Sequence, residues 1–413
     1  MNRGHTAHVW SPREKRNLGL FLCGRVTDTV GQQVQGVAVG WQVWQLTHDE
    51  LMLGYVGLAQ FAPLMLLALL GGTAADRFDR RRIVGITQLG YAVGALGLVW
   101  ASGHGTTPTF VVLVGLGALR AFKWPAASAL VPWLVSRERL PRAIALSAST
   151  FQVGMIAGPA IGGAIYVWGG AEAAYWTTVA LELVSAALTL SLKVSMPERE
   201  PRGESQWQLV LGGVRFLIRT KVILGAIGLD LFAVLFGGAV ALMPVFADEI
   251  LHVGPVGLGL LRGAPALGAM IVLIVLAYRP IERRAGPWML GGVALFGVAT
   301  IVFGSSSSFG LSLAALAIVG GADAISVVVR QSLIQLRTPD EMRGRVAAVS
   351  FVFIGASNEL GELESGVTAK WLGAARATIF GGIGTLLVTG LWTMIFPTLR
   401  DVDKLTAHED EES

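Results

Sequence analysis

Gly72-Thr73-Ala74-Ala75-Asp76-Arg77-Phe78-Asp79-Arg80-Arg81-Arg82 packs six charges into eleven residues between two apolar runs, 52–74 and 83–101. Crossing a hydrocarbon core takes roughly 20 mostly apolar residues, and both runs approach or exceed that length. A charge cluster held between two such runs belongs in water at one face of a membrane. Working outward, apolar runs recur at 18–40, 109–131, 144–168 and 174–194, then at 222–247, 256–278, 288–305, 309–334, 346–369 and 374–396. The expectation is an all-α integral membrane protein with twelve transmembrane helices.

Composition agrees. Of 413 residues, 53% are hydrophobic and only 15% are charged, whereas a soluble domain carries about 25% charged residues. The first run follows Arg13, Glu14, Lys15 and Arg16 without a cleavage site, so it reads as a retained span. The single cysteine, Cys23, lies inside that run and rules out both a disulfide framework and a cysteine metal site.

The sequence pI near 9.4 would fit a nucleic-acid binder, but the cations are distributed by loop. Alternate connections hold Arg77, Arg80, Arg81 and Arg82; Arg137, Arg139 and Arg142; Arg199, Arg202, Arg215, Arg219 and Lys221; Arg279, Arg283 and Arg284; and Arg337, Arg343 and Arg345. The intervening connections hold none until the last, near Lys370 and Arg376. Positive charge stays on the cytoplasmic side, which predicts an even number of spans with both termini cytoplasmic. The basic balance is a topology signal, and no nucleic-acid partner is expected.

The two halves repeat. Asp28 aligns with Asp230, an offset of 202 positions, and at that offset Ala62-Pro63 falls on Ala264-Pro265, Arg77 on Arg279, Arg81-Arg82 on Arg283-Arg284, and Ile144-Ala145 on Val346-Ala347. Six spans separate the copies, so the repeats run parallel across the membrane. The expected organisation is an N-terminal six-helix bundle (1–194), a linker (195–221), a C-terminal six-helix bundle (222–396) and a cytoplasmic tail (397–413). In the linker, Trp207, Leu211, Val214 and Ile218 recur at helical spacing beside Arg215 and Arg219. That pattern predicts an amphipathic helix, either on the cytoplasmic membrane surface or as a solvated linker.

Three strings carry a family resemblance. The 72–82 cluster resembles the major facilitator signature G-x-x-x-D-R-x-G-R-R, with Asp79 where glycine is usual. Asp76 can pair with Arg77 or Arg80, or face a positive helix N-terminus, and the resemblance implies a conformational latch formed by Gly72, Asp76, Arg77, Arg80 and Arg81. A solvated basic loop is the alternative. Span five contains Gly154-Met155-Ile156-Ala157-Gly158-Pro159-Ala160-Ile161-Gly162-Gly163, similar to the G-x-x-x-G-P-x-x-G-G motif of drug–proton antiporters in that family. It implies export through Gly154, Gly158, Pro159, Gly162 and Gly163; close helix packing explains the glycines alone. Arg343-Gly344-Arg345 and Ser357-Asn358-Glu359-Leu360-Gly361-Glu362 resemble the enterobactin-exporter and macrolide-efflux branch. Parallel repeats with a site between them near the midplane are the family's architecture.

Charges inside spans are expensive and face a cavity or one another. Arg25 and Asp28 lie on one face of span one. Arg120, in span four, resembles the family arginine linked to proton transfer. Glu359 and Glu362 share a face of span eleven, and Asp323 and Arg330 share a face of span ten as an expected structural pair. Burial raises a carboxylate's pKa and an adjacent cation lowers it, so a movable acid–arginine contact can carry a proton. The proton-coupling candidates are Asp28, Arg25, Arg120, Glu359 and Glu362; a static pair fixing helix register is the alternative. Gln32, Gln35, Gln60, Gln152, Asp230 and Asn358 are substrate-cavity candidates. The chain lacks G-x-S-x-G, H-E-x-x-H and G-x-x-x-x-G-K-[ST], which argues against a hydrolase or nucleotide-driven pump; no cofactor or metal is expected. The expected function is a monomeric secondary transporter exporting an amphipathic small molecule against protons, with a facilitator, a symporter or a non-transporting scaffold as alternatives.

Overall fold

The computed structural model describes residues 11–194, 206–238 and 240–403. Among them the regular structure is helical: α1 Pro12–Thr47, α2 Glu50–Arg77, α3 Arg80–Ala101, α4 Thr106–Ser128, α5 Leu140–Leu190, α6 Gln206–Arg219, α7 Lys221–Phe236, α8 Met243–Val245, α9 Gly254–Tyr278, α10 Ala285–Ser305, α11 Phe309–Arg337, α12 Asp340–Leu372, α13 Ala374–Ile395 and α14 Pro397–Arg400. Exposed Leu66, Ile86, Val111, Val167, Leu273 and Leu387 give the helices the apolar exterior that a bilayer requires.

Two expected spans are one helix by hydrogen bonding. In α5 the backbone leaves helical geometry only at Gly169 and Gly170, where Gly170 has φ 67°; that left-handed conformation favours glycine. Span seven departs further. The apolar run 222–247 is not a single helix: α7 stops at Phe236, and a π-helical turn, Phe246–Ile250, follows α8. Apolarity cannot foresee this break, because it is made by packing. A Cβ on Gly238 would collide with the Gly361 carbonyl of α12, so the two backbones touch there.

Helices α1–α5 form one group, in which α5 lines α1, α2 lines α4, and α3 packs on α4 and α5. Helices α7 and α9–α14 form the second, in which α9 packs on α11, and α10 on α11 and α13. Two long seams join the groups, α5 against α9 and α2 against α12. Along the first seam, a Cβ on Gly163 would strike the Pro255 carbonyl and one on Gly259 would strike the Pro159 carbonyl. Only glycine permits this approach.

The connection between α2 and α3 differs from the sequence expectation in a specific way. Asp79 sits at φ −62° and ψ 110° as the N-cap of α3, and its side chain accepts from the Arg81 and Arg82 amides. No left-handed turn is required, and aspartate is among the preferred caps. The linker helix α6 packs Leu217 against α12 and α7, while Leu211 and Ile218 are exposed beside exposed Arg215 and Arg219. Residues 195–205 and 404–413, including Arg199 and Arg202, lie outside the described residues.

Candidate functional site

Among the described residues, direct contacts between the two groups are seen near the middle of the spans and at the end opposite the arginine-rich loops. At that end, Trp44 Nε1 and Gln45 Nε2 of α1 donate to Asp248 Oδ2 at 2.9 and 3.1 Å. Lys370 Nζ of α12 donates to Asp49 Oδ2 at 2.9 Å. That pair neutralises Lys370, one of the two cations that break the loop-charge pattern. Deeper in, Gln152 Nε2 of α5 donates to the Ala266 carbonyl of α9 at 2.6 Å. At the arginine-rich end, Asp76 and Arg77 are exposed. Arg80 is buried, donating from Nε to the Ala75 carbonyl at 3.0 Å with its guanidinium 5.9 Å from the Trp133 ring. Arg81 donates to the Leu192 carbonyl at 2.7 Å. Asp79 pairs with Arg81 and Arg82, while Asp76 and Arg77, expected as a pair, are both exposed; Gly72 is half-buried at the close of α2.

The charged residues resolve into three clusters. In the first, Asp28 of α1 pairs with Lys123 of α4, not with Arg25, which helical spacing offered, nor with Arg120. The Lys123 ammonium also stands 4.4 Å from the Tyr91 ring centre, and Glu182 of α5 completes the group, fully buried beside both Lys123 and Asp28. Around it, Gln88 donates to Ser185 Oγ at 2.7 Å, and Ser185 donates to the Gly24 carbonyl at 2.7 Å. A buried acid held beside a lysine and a second acid can hold or release a proton with little movement.

The second cluster bridges the groups. Arg120 Nη1 of α4 meets Glu359 Oε1 of α12 at 3.3 Å, with the guanidinium 5.6 Å from the Trp124 ring. Glu362 lies one turn further along α12, and both glutamates press on Gly57 of α2. Arg262 of α9 faces Glu362 and lays its guanidinium on Gly36 and Gly40 of α1, where added Cβ atoms would sit 3.2 and 3.0 Å from it. The predicted Arg120, Glu359 and Glu362 therefore come together, separately from Asp28.

The third cluster is internal to the second group. Arg330 pairs with Asp230, and Asp323 lines the same small cavity with Val293 and Phe296. Asp230 was expected in the substrate cavity, but its carboxylate is buried and paired inside the helix group; the Asp323–Arg330 pairing is likewise replaced by Asp230–Arg330. Of the other cavity candidates, Gln35 is buried with its Oε1 unpartnered. Gln32 and Gln60 are half-buried, and Asn358 is exposed and donates to its own helix at Ile354. The motif glycines 154, 158 and 162 press against Thr29, Gln33 and Val34 of α1, while Pro159 and Gly163 face α9.

Lys123, Tyr91, Glu182 and Arg262 were not singled out in the sequence. Glu182 and Arg262 carry the same signal as Asp28, a charge within an apolar run. Lys123 carries it too, eight residues inside the run 109–131.

The Major Facilitator Superfamily family model matches residues 21–362. The chain is 28% identical over 390 residues to an enterobactin exporter, EntS, of Citrobacter koseri, covering 92% of each chain. A second enterobactin exporter, from Shigella boydii serotype 18, is 28% identical over 393 residues, again covering 92% of each. Among solved structures, a POT family transporter in complex with a thioalcohol-conjugated peptide superposes with TM-score 0.76 at 12% identity, covering 93% of this chain and 96% of that one.

Proposed function

Because the chain belongs to the Major Facilitator Superfamily, a family of transporters and not of enzymes, we propose that it exports an amphipathic small molecule across the cell inner membrane by proton antiport and alternating access. The observation that carries this reading is the Arg120–Glu359 ion pair, which joins the two helix groups between α4 and α12. An ion pair across the cleft can re-form only if the groups move relative to one another, so its protonation state couples to their separation. Similarity to enterobactin exporters and the span-five motif favour export and keep a siderophore or drug-like compound as the cargo class.

Twelve spans with both termini cytoplasmic form part of the proposal. Among the described residues, eight helices are long and apolar enough to cross a membrane. Helix α5 supplies two of the twelve spans on either side of Gly169–Gly170. Helices α1 and α12 fall below the apolar threshold because of the polar groups that function would require, and α7 is short because span seven is broken. Residues 1–194 and 222–396 would be the rocking bundles. With the groups tied at the far end through Trp44, Gln45 and Asp248 and through Asp49 and Lys370, we read this state as closed on that side.

In the proposed cycle, the Asp28–Lys123–Glu182 cluster exchanges a proton with the cleft and the Arg120–Glu359 pair reports that exchange across the interface. The test is proton release from proteoliposomes holding the purified protein under an imposed pH gradient, with a panel of amphipathic compounds and catecholate siderophores. Substrate-dependent flux is expected in wild type and at least tenfold less in Asp28→Asn. Flux that survives Asp28→Asn but fails in Glu359→Gln moves the coupling role to α12. Substrate movement without proton flux would leave a facilitator.

A further inference from the structure

Arg25 is a membrane-embedded cation without a settled partner. Its Nε is buried and has no hydrogen-bond acceptor. Asp28, the nearby acid on its own helix, is taken by Lys123. Its guanidinium lies 5.3 Å from the centre of the Phe151 ring of α5.

The helix geometry fixes where this group points. Gln32 and Gly36 follow Arg25 by seven and eleven residues, so at about 100° per residue both fall within roughly 20° of its direction. Gly36 meets Arg262 of α9, which turns this face of α1 toward the second helix group. Arg120 also faces that group, since its partner Glu359 belongs to α12, and its guanidinium is stacked over Trp124. Two guanidinium–aromatic pairs thus look into the same cleft, and half-buried Gln32 extends the Arg25 side of it.

We propose that Arg25 and Phe151, supported by Gln32, form the subsite for an anionic group carried on an aromatic ring of the transported molecule, such as a ring carboxylate, sulfonate or acidic hydroxyl. The inference rests on the exporter reading above, in that the ligand is the cargo. Asp28 lies near enough to act on Arg25 electrostatically but bonds Lys123, and a cation in a membrane that no acid bonds directly is expensive and marks a place where charge can be supplied. A guanidinium offers parallel N–H donors that match a carboxylate fork, and the Phe151 face receives a flat ring beside it. A cationic amphipath is disfavoured at the same place. Arg25 and Arg120 repel it, Asp28 is engaged by Lys123 and Glu359 by Arg120, Glu362 faces Arg262, and Glu182 is fully buried.

The test is equilibrium dialysis of three ligands sharing one ring system, 2-naphthoate, 2-naphthamide and 2-naphthylmethylammonium, against the full-length protein in nanodiscs. In wild type, the anion is expected to bind at least tenfold tighter than the amide and the cation more weakly than both. Arg25→Ala should reduce anion affinity to that of the amide, Arg25→Lys should retain part of the preference, and Phe151→Ala should weaken anion and amide alike by about threefold. Equal affinity for anion and amide, tighter binding of the cation, no binding of any of the three, or an anion preference untouched by Arg25→Ala would each overturn the subsite. The wild-type series decides the matter even if Arg25→Ala fails to fold. Dialysis uses no gradient, so it can fail while proton-coupled export of another cargo still registers in proteoliposomes.

Discussion

At the scale of single residues, the clearest electrostatic feature outside the membrane is Glu14. It closes a capping box with Ser11 at the start of α1, accepts the Ser136 amide at 2.9 Å and pairs with Arg139. The Ser136 amide bond foremost, then the Ser11 amide and the Arg139 charge, hold its carboxyl down to about 2 from an ordinary 4.5. A depressed folded-state value means the stabilisation is complete above the unfolded value and is lost as pH falls from about 4.5 through 2. Glu14→Gln should therefore destabilise the loop 129–139 against α1 by on the order of 1 kcal/mol at neutral pH, allowing for solvent screening. Limited proteolysis of that loop measures the effect, and the gap between variant and wild type should close as pH drops below 4.5. A gap constant down to pH 3 would assign Glu14 a packing role instead. Single-residue legibility was uneven for physical reasons. Asp28, Arg120, Glu359 and Glu362 stand out because charge inside an apolar run has few explanations. Their partners depend on which helices touch, and one sequence does not state that: spacing offered Arg25 to Asp28, whereas packing delivered Lys123.

At the scale of elements, apolar runs and loop charge located some helices to within a few residues, as with 309–334 against Phe309–Arg337 and 374–396 against Ala374–Ile395, while 18–40 fell short of Pro12–Thr47. The signal fails where tertiary contact overrides it. The run 222–247 looks continuous in apolarity, yet α7 breaks where Gly238 and Gly361 bring two backbones together. The span-five motif sits between these cases. Its glycine spacing announces a smooth face, and the structure gives that face to α1: a Cβ at position 158 would lie 2.7 Å from the Gln33 Cβ, and one at 162 would lie 2.9 Å from the Val34 Cα. Gly158→Leu should force α1 and α5 apart and destabilise the protein by about 1–3 kcal/mol, the range for overpacking a tight interior. A thermal-melt series in detergent checks this, with Ile161→Leu as control because Ile161 is exposed. An unchanged melting temperature for Gly158→Leu would mean the two helices are not held at that distance.

At the scale of the whole molecule, the internal repeat and the alternating loop charges point to two parallel helix groups, but not to which end of the cleft is shut. The contacts supply that. Trp44 and Gln45 on Asp248, and Lys370 on Asp49, tie the groups together at the end away from the arginine loops, while Arg120–Glu359 lies deeper in the cleft. If export proceeds by rocking, the Asp49–Lys370 contact must open in every cycle, because the cargo leaves past it. A covalent tie at that point should therefore stop transport without unfolding either group. Cys23 is the sole cysteine, so a Cys23→Ser background carrying Asp49→Cys and Lys370→Cys offers a single pair to a short bismaleimide. Cross-linked protein should lose at least nine-tenths of its transport while the melting temperature holds or rises, and each single-cysteine variant treated alike should keep its activity. The same tie should leave naphthoate binding from the cytoplasmic side intact, since Arg25 and Phe151 lie between that side and the closed end. Transport that continues at the wild-type rate through the cross-link would mean the cargo does not pass between α2 and α12, and that the two groups do not separate there during the cycle.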